Sequence, residues 1–242
     1  MKLGQFETNR IYNVDAYEAI KQLPDNSIDL IITDPPYEIE VAHSSGVFGI
    51  DKKLSYQQIA DISNGYDYKI LDDFVRVLKR INLYVWCSKR QIPTLLDYFV
   101  TQRKCRYNII TWHKSNVIPA ANNCYMPDTE YCLFFRERGA KLYGTPATKR
   151  TYYVTPTNKA DKQRFGHPTI KPLEIIQNFV LNSSVGGGII LDPFAGSGTT
   201  GVAAKNNDRQ YILFEKDETR YLQAENRLNN IQIGGQMTLF TM

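Results

Sequence analysis

Two apolar runs, "SIDLIIT" (27–33) and "GIILD" (188–192), each pass into an Asp-Pro pair, giving "DPPY" at 34–37 and "DPFAGSGTTG" at 192–201. Runs that are apolar without alternation are buried on both faces, as strands of a parallel sheet are. Proline cannot donate to a ladder, so both strands stop at the aspartate and leave Asp34 and Asp192 at their carboxyl ends. In open α/β sheets the ligand crevice lies outside those ends, at the topological switch point. If the two strands are neighbours, the motifs face each other.

Five more strands are predicted at 11–16, 81–87, 107–112, 130–135 and 210–215. Helical periodicity separates most of them, in "YEAIKQL", "YKILDDFVRVLKR", "QIPTLLDYFVTQR", "PLEIIQNFVLNSS", "GTTGVAAKNN" and "ETRYLQAENRLNN". This is the alternation of an α/β protein. We expect one domain over 1–242, a Rossmann-like, seven-stranded, mostly parallel sheet with helices on both faces. Residues 38–65 lack a clear period and are expected to form a mobile loop with a short helix.

A chain of 242 residues, 43% of them hydrophobic and 22% charged, can bury a core of that size. No apolar run approaches the roughly 18 residues of a membrane span, and "MKLGQFETNR" lacks a signal-peptide core, so a cytoplasmic protein is expected. The four cysteines and three histidines are scattered without metal-binding spacing, and no metal site is expected.

Gly196, Gly198 and Gly201 match G-x-G-x-x-G between a strand and a helix, where glycine permits a tight turn and close approach to a ligand. Glu215, at the end of the next strand, lies nineteen residues past Gly196, where an acid binds ribose hydroxyls. A nucleoside-like cofactor follows; the absence of a second dinucleotide half points away from NAD. In "DPPY", Pro35 and Pro36 stiffen the loop, leaving Asp34 and the Pro35 carbonyl as fixed acceptors beside Tyr37. That arrangement suits an exocyclic amino group on a planar base. Two acceptors on its hydrogens favour a pyramidal nitrogen and compensate the charge that develops as it attacks.

"DPPY", "HPTIKP" (167–172) and "DPFAGSGTT" (192–200) together resemble the amino-group-methylating DNA methyltransferases. Their order resembles that of the circularly permuted β group, in which the recognition segment lies between the catalytic and cofactor motifs. The resemblance implies S-adenosylmethionine as cofactor and Asp34, Pro35, Pro36 and Tyr37 as the amino-group site. It implies Asp192, Phe194, Gly196, Gly198, Thr199 and Glu215 at the cofactor, with Lys171 nearby. Asp15 falls where relatives carry an acid near the cofactor's adenine, although Val14 replaces the usual preceding glycine; a helix cap explains it equally. The aspartate of "DPPY" implies N6-adenine as target, with N4-cytosine as the alternative. An RNA or protein-amide methyltransferase and an NAD-dependent oxidoreductase are more distant readings.

Residues 136–164 hold eight Lys or Arg and two acids, an excess of +6 against +4 for the whole chain. We expect this segment to bind DNA phosphates, with Tyr143, Tyr152 and Tyr153 contacting bases or backbone, and assign a small target-recognition insertion to 136–166. Its shortness, and the resemblance, allow for a homodimer. The tail over 229–242 contains Gln236, Met237, Thr238, Leu239 and Phe240, which resemble the peptide by which bacterial replication proteins bind the sliding clamp. Packing of that apolar terminus on its own domain is the plainer reading.

Overall fold

The computed structural model describes residues 1–38, 65–117, 125–157 and 170–230. Residues 39–64 of the predicted 38–65 loop, the His167–Thr169 part of "HPTIKP", residues 158–164 of the basic segment and the Gln236–Phe240 peptide lie outside the described residues.

A two-stranded hairpin, β1 (Lys2–Leu3) with β2 (Phe6–Glu7), opens the chain. Among the described residues the main sheet has eight strands: β3 (Arg10–Asn13), β4 (Leu30–Thr33), β5 (Asn82–Cys87), β6 (Arg106–Lys114), β7 (Thr129–Arg136), β8 (Tyr152–Thr155), β9 (Ile189–Asp192) and β10 (Gln210–Glu215). Their spatial order is β3-β10-β9-β4-β5-β7-β6-β8. The five from β3 to β5 are parallel, β7 runs antiparallel to both β5 and β6, and β8 is parallel to β6. All seven predicted strands are present. The eighth, β8, lies inside the segment read as a recognition insertion, where "TYYVT" is flanked by basic and turn residues that mask its alternation.

β4 pairs with β9 in the register Leu30↔Ile190 and Ile31↔Leu191. From this junction the chain runs outward through β5 on one side, and through β10 on the other. It is the switch point, and the two Asp-Pro motifs emerge from its two strands side by side.

Side chains alternate between the faces as strand geometry requires. On β5, Leu83, Val85 and Cys87 enter one core; Tyr84 and Trp86 enter the other. The first core lies under α1 (Ala16–Ile20), α2 (Ile70–Val77) and α3 (Ile92–Leu96), which continues as a π-helical turn over Asp97–Gln102. The second lies under α4 (Leu173–Ser183), α5 (Thr199–Asn206) and α6 (Glu218–Asn229). Among the described residues no helix is long and apolar enough to cross a membrane.

The centre of the second core is an aromatic stack. Tyr84 lies between Phe134 at 4.2 Å and Phe179 at 4.1 Å, the latter ring within 2° of parallel, and its hydroxyl meets Ser183 Oγ at 2.8 Å. Phe179 also touches Trp86 and Tyr153. Tyr153, expected at a DNA surface, is instead buried; it is the inward-facing residue of β8, whereas Tyr143 and Tyr152 are exposed. Phe179→Ala should cost about 3–5 kcal/mol, the range for emptying a buried aromatic site. Urea unfolding checks it, and a loss below about 1 kcal/mol, as at an exposed position, would show that the stack does not anchor α4.

Candidate active site

β4 is buried along its whole length, so the first side chain free to leave the sheet is Asp34. Its carboxylate keeps 28% of its surface accessible. The trans peptide bonds of the two prolines carry the chain away in an extended turn. The buried side chain of Gln91 fastens that turn: its Nε2 donates to the Pro36 carbonyl at 3.1 Å while its Oε1 accepts from Ser88 N at 2.9 Å.

Tyr37 returns to donate its hydroxyl to Asp34 Oδ1 at 2.9 Å. Lys171 arrives from the segment before α4 and donates to Asp34 Oδ2 at 2.6 Å and to the Tyr37 hydroxyl at 3.1 Å. The ammonium also lies 3.0 Å from Glu130 Oε2 and over the Trp86 ring, 5.0 Å from its centroid. Glu130, on β7, is paired in turn with Lys114 of β6 at 2.6 Å. Two carboxylates and two ammoniums thus alternate in one row: Asp34, Lys171, Glu130, Lys114.

Burial sets the electrostatics of this row. It raises the Asp34 carboxyl, and the neighbouring Lys171 charge offsets only part of the rise. Burial also pushes Glu130 up, but Lys171 and Lys114 outweigh it and hold that carboxyl at about 2. Burial works against the Lys171 charge, yet Asp34 and Glu130 keep it above the ordinary lysine value. Tyr37 is pushed well above the usual phenol range by burial and by the charges of Asp34 and Glu130, so its proton stays in place to donate.

The second motif leaves β9 beside the first. Asp192 accepts from Phe194 N at 3.1 Å and from the Thr200 hydroxyl at 2.7 Å, closing the strand-to-helix turn on itself. Gly196 and Gly198 take left-handed φ values of 50° and 72°. At Gly201 a Cβ would sit 2.6 Å from Leu213 Cδ1, so this glycine lets α5 pack on β10 and has no need of a ligand. Glu215 Oε2 accepts from Gly196 N at 2.7 Å, which places the acid of the next strand directly on the glycine turn. Phe194 lies between Tyr17 and Tyr66, forming an aromatic wall beside the turn.

Three predicted residues sit differently from the rest. Thr199 is buried, its hydroxyl accepting from Arg227 of α6 at 3.0 Å, so it braces the turn from below. Asp15 caps α1 by accepting from Tyr17 N at 2.9 Å and pairs with Lys216 at 2.9 Å. Lys171 is bonded to Asp34 and Tyr37 and so belongs to the first motif's cluster. Sequence reasoning missed Glu130, Gln91, Lys114 and Arg227. For Glu130 a signal existed, an acid opening the apolar strand "EYCLFF"; Gln91 and Arg227 lie in ordinary amphipathic stretches with none. Among the described residues no group of acids, histidines and cysteines is arranged to hold a metal.

A family model described as DNA methylase, covering N6 and N4 methyltransferases, matches residues 28–226. The chain belongs to this family. The methylase is 27% identical over 237 residues to the type II methyltransferase M2.MboI of Moraxella bovis, covering 90% of this chain and 86% of the relative. It is 28% identical to M2.DpnII of Streptococcus pneumoniae, with 89% and 90% covered. Among solved structures, M1.HpyAVI in complex with SAM superposes with a TM-score of 0.66 at 25% identity, covering 90% of this chain and 98% of that one. The cytosine-N4-specific PvuII DNA methyltransferase superposes at 0.70 with 15% identity over 96% and 89%, a likeness of fold.

Burial raises Asp192 to about 7, against the bonds from Thr200 and Phe194 N. The folded methylase then holds a proton that the unfolded chain releases near the ordinary aspartate value. Stability contributed by that proton is present below about pH 4 and is lost as pH rises to about 7. Thermal melts between about pH 5 and about pH 7.5 should show the wild type losing Tm relative to Asp192→Asn as pH rises; parallel curves would show that the carboxyl titrates normally.

Proposed function

We propose that the methylase transfers a methyl group from S-adenosylmethionine to the N6 amino group of adenine in DNA, as a type II modification enzyme. The observation that carries this reading is the pair of strand-end motifs at one switch point. Asp34 and Tyr37 stand just beyond the end of one strand, and the Gly196 turn with Glu215 stands beside the end of the other. The order of the motifs supports placement in the permuted β group.

The residues around the second motif suit this cofactor. A carboxylate on the glycine turn offers acceptors for ribose hydroxyls, and Phe194 and Tyr17 offer ring faces to a purine. When bound, S-adenosylmethionine supplies an electrophilic methyl group on a sulfonium. Asp15 would stand near the cofactor's adenine at the edge of this site, and Asp192 and Thr199 would shape the turn.

At the first motif the target base must leave the duplex stack, since its amino group is otherwise paired. Tyr37 offers a ring for the extruded base, and Asp34 and the Pro35 carbonyl accept from its amino hydrogens. Both acceptors disfavour the planar, delocalised amine and stabilise the positive charge that grows on nitrogen as the carbon–nitrogen bond forms. The methylated nitrogen then sheds its extra proton without needing a strong base. Aspartate at position 34 supports adenine over cytosine. Exposed Tyr143 and Tyr152, set among the Lys and Arg of 136–157, support DNA contact along this edge of the sheet.

Transfer of labelled methyl groups to unmethylated bacterial DNA, followed by separation of nucleosides, tests the reading. We expect labelled N6-methyladenine from the wild type and about a hundred- to a thousandfold less from Asp34→Ala, the scale of losing one group that stabilises transition-state charge. Labelled N4-methylcytosine would overturn the choice of base, and full activity in the variant would overturn the role of Asp34.

A further inference from the structure

The charge row raises a question that the roles of Asp34 and Tyr37 leave open. A carboxylate that must compensate a growing positive charge is already bound to a buried ammonium, and that ammonium weakens it as an acceptor. The structure resolves this by giving the ammonium a second carboxylate. Lys171 Nζ has three hydrogens and three oxygens within 3.1 Å: Asp34 Oδ2, Glu130 Oε2 and the Tyr37 hydroxyl. Its side chain is 6% exposed where that of Asp34 is 28% exposed, so a ligand in the crevice reaches Asp34 and not the lysine behind it.

We propose that Lys171 is the positioning residue of the amino-group site, and that Glu130, by sharing its charge, keeps Asp34 strong enough as an acceptor to serve the reaction. The inference rests on the reading of Asp34 as the amino-group acceptor. Lys171 aims Oδ2 and fixes the Tyr37 hydroxyl in one geometry. Glu130 divides the ammonium between two acids, so the triad of Asp34, Lys171 and Glu130 carries a net charge of −1 next to the developing cation. Lys114, at the far end of the row, secures Glu130 in its ionised form without touching Asp34.

The groups facing Asp34 from the packed elements are Lys171 ahead of α4, Glu130 and Cys132 of β7, Cys87 of β5, Tyr37 of its own loop, and Asp192 across the switch point. Burial raises the Cys87 thiol to about 12 and the Cys132 thiol well above its ordinary value, so both stay neutral. Lys171 and Glu130 therefore pull the Asp34 titration in opposite directions, and removing each should move it in opposite directions. A role confined to holding the fold together predicts no such opposition.

The test follows Asp34 itself, because Asp192 titrates nearby. The full chain is prepared with aspartate labelled with carbon-13 in the side-chain carboxyl, and Asp34→Asn assigns the resonance. Lys171→Met should raise the Asp34 midpoint by about one to three pH units, the effect of losing a close opposite charge. Glu130→Gln, which keeps size and shape, should lower it. The acidic limb of single-turnover methyl transfer to DNA should follow both shifts. Midpoints that stay at the wild-type value, or that move the same way in both variants, overturn the proposal. Midpoints that move oppositely while the wild-type chain methylates no DNA uphold the charge coupling and overturn the assignment of Asp34 to an amino group.

Discussion

The pairing of β4 with β9 is the constraint on which the rest of the site depends. Two strands separated by more than 150 residues of chain meet in parallel, and each delivers a motif that does little alone. Asp34 without its neighbour is a carboxylate at a strand end; the glycine turn without its neighbour is a tight connection closed by Asp192 and Glu215. Their shared edge sets the two motifs next to each other without any loop having to hold them together. Because the register is set by residues buried on both faces, a slip by one would turn Ile31 and Leu191 into the opposite core.

Electrostatics form a second layer built on the same sheet. The antiparallel β7 and β6 add little to a nucleotide-binding frame, but they bring Glu130 and Lys114 behind Asp34. An isolated buried charge would be costly, and an alternating row of acids and bases reduces that cost while leaving one acid facing the crevice. The antiparallel end of the sheet thus sets the charges around a carboxylate at the parallel end.

Most of the frame was legible in the sequence because parallel strands declare themselves as unbroken apolar runs and glycine turns have few substitutes. "LIIT", "IILD" and "YILF" read as buried strands and are buried strands. β8 was not legible: "YYVT" is short, lies at an edge and presents only Tyr153 to the core. The candidate residues at strand ends came from local motifs. Glu130, Gln91 and Arg227 did not, because each acts through a partner remote in sequence: Glu130 on Lys171, Gln91 on the Pro36 carbonyl, Arg227 on the Ser197 carbonyl. A single sequence carries the pattern of a strand but not the identity of what packs across from it.

The strand order has a consequence for how the molecule is made. β9 and β10, synthesised late, occupy the positions between β3 and β4, synthesised early. As the chain leaves the ribosome, its first strands therefore cannot close against each other in the native order and must keep a gap about two strands wide, close to 10 Å by the usual strand spacing. Until β9 emerges, the mostly apolar β4 presents one unpaired edge, the kind of surface that other chains join. The arrangement that sets the two motifs side by side thus postpones assembly of the crevice until β9 and β10 have been made.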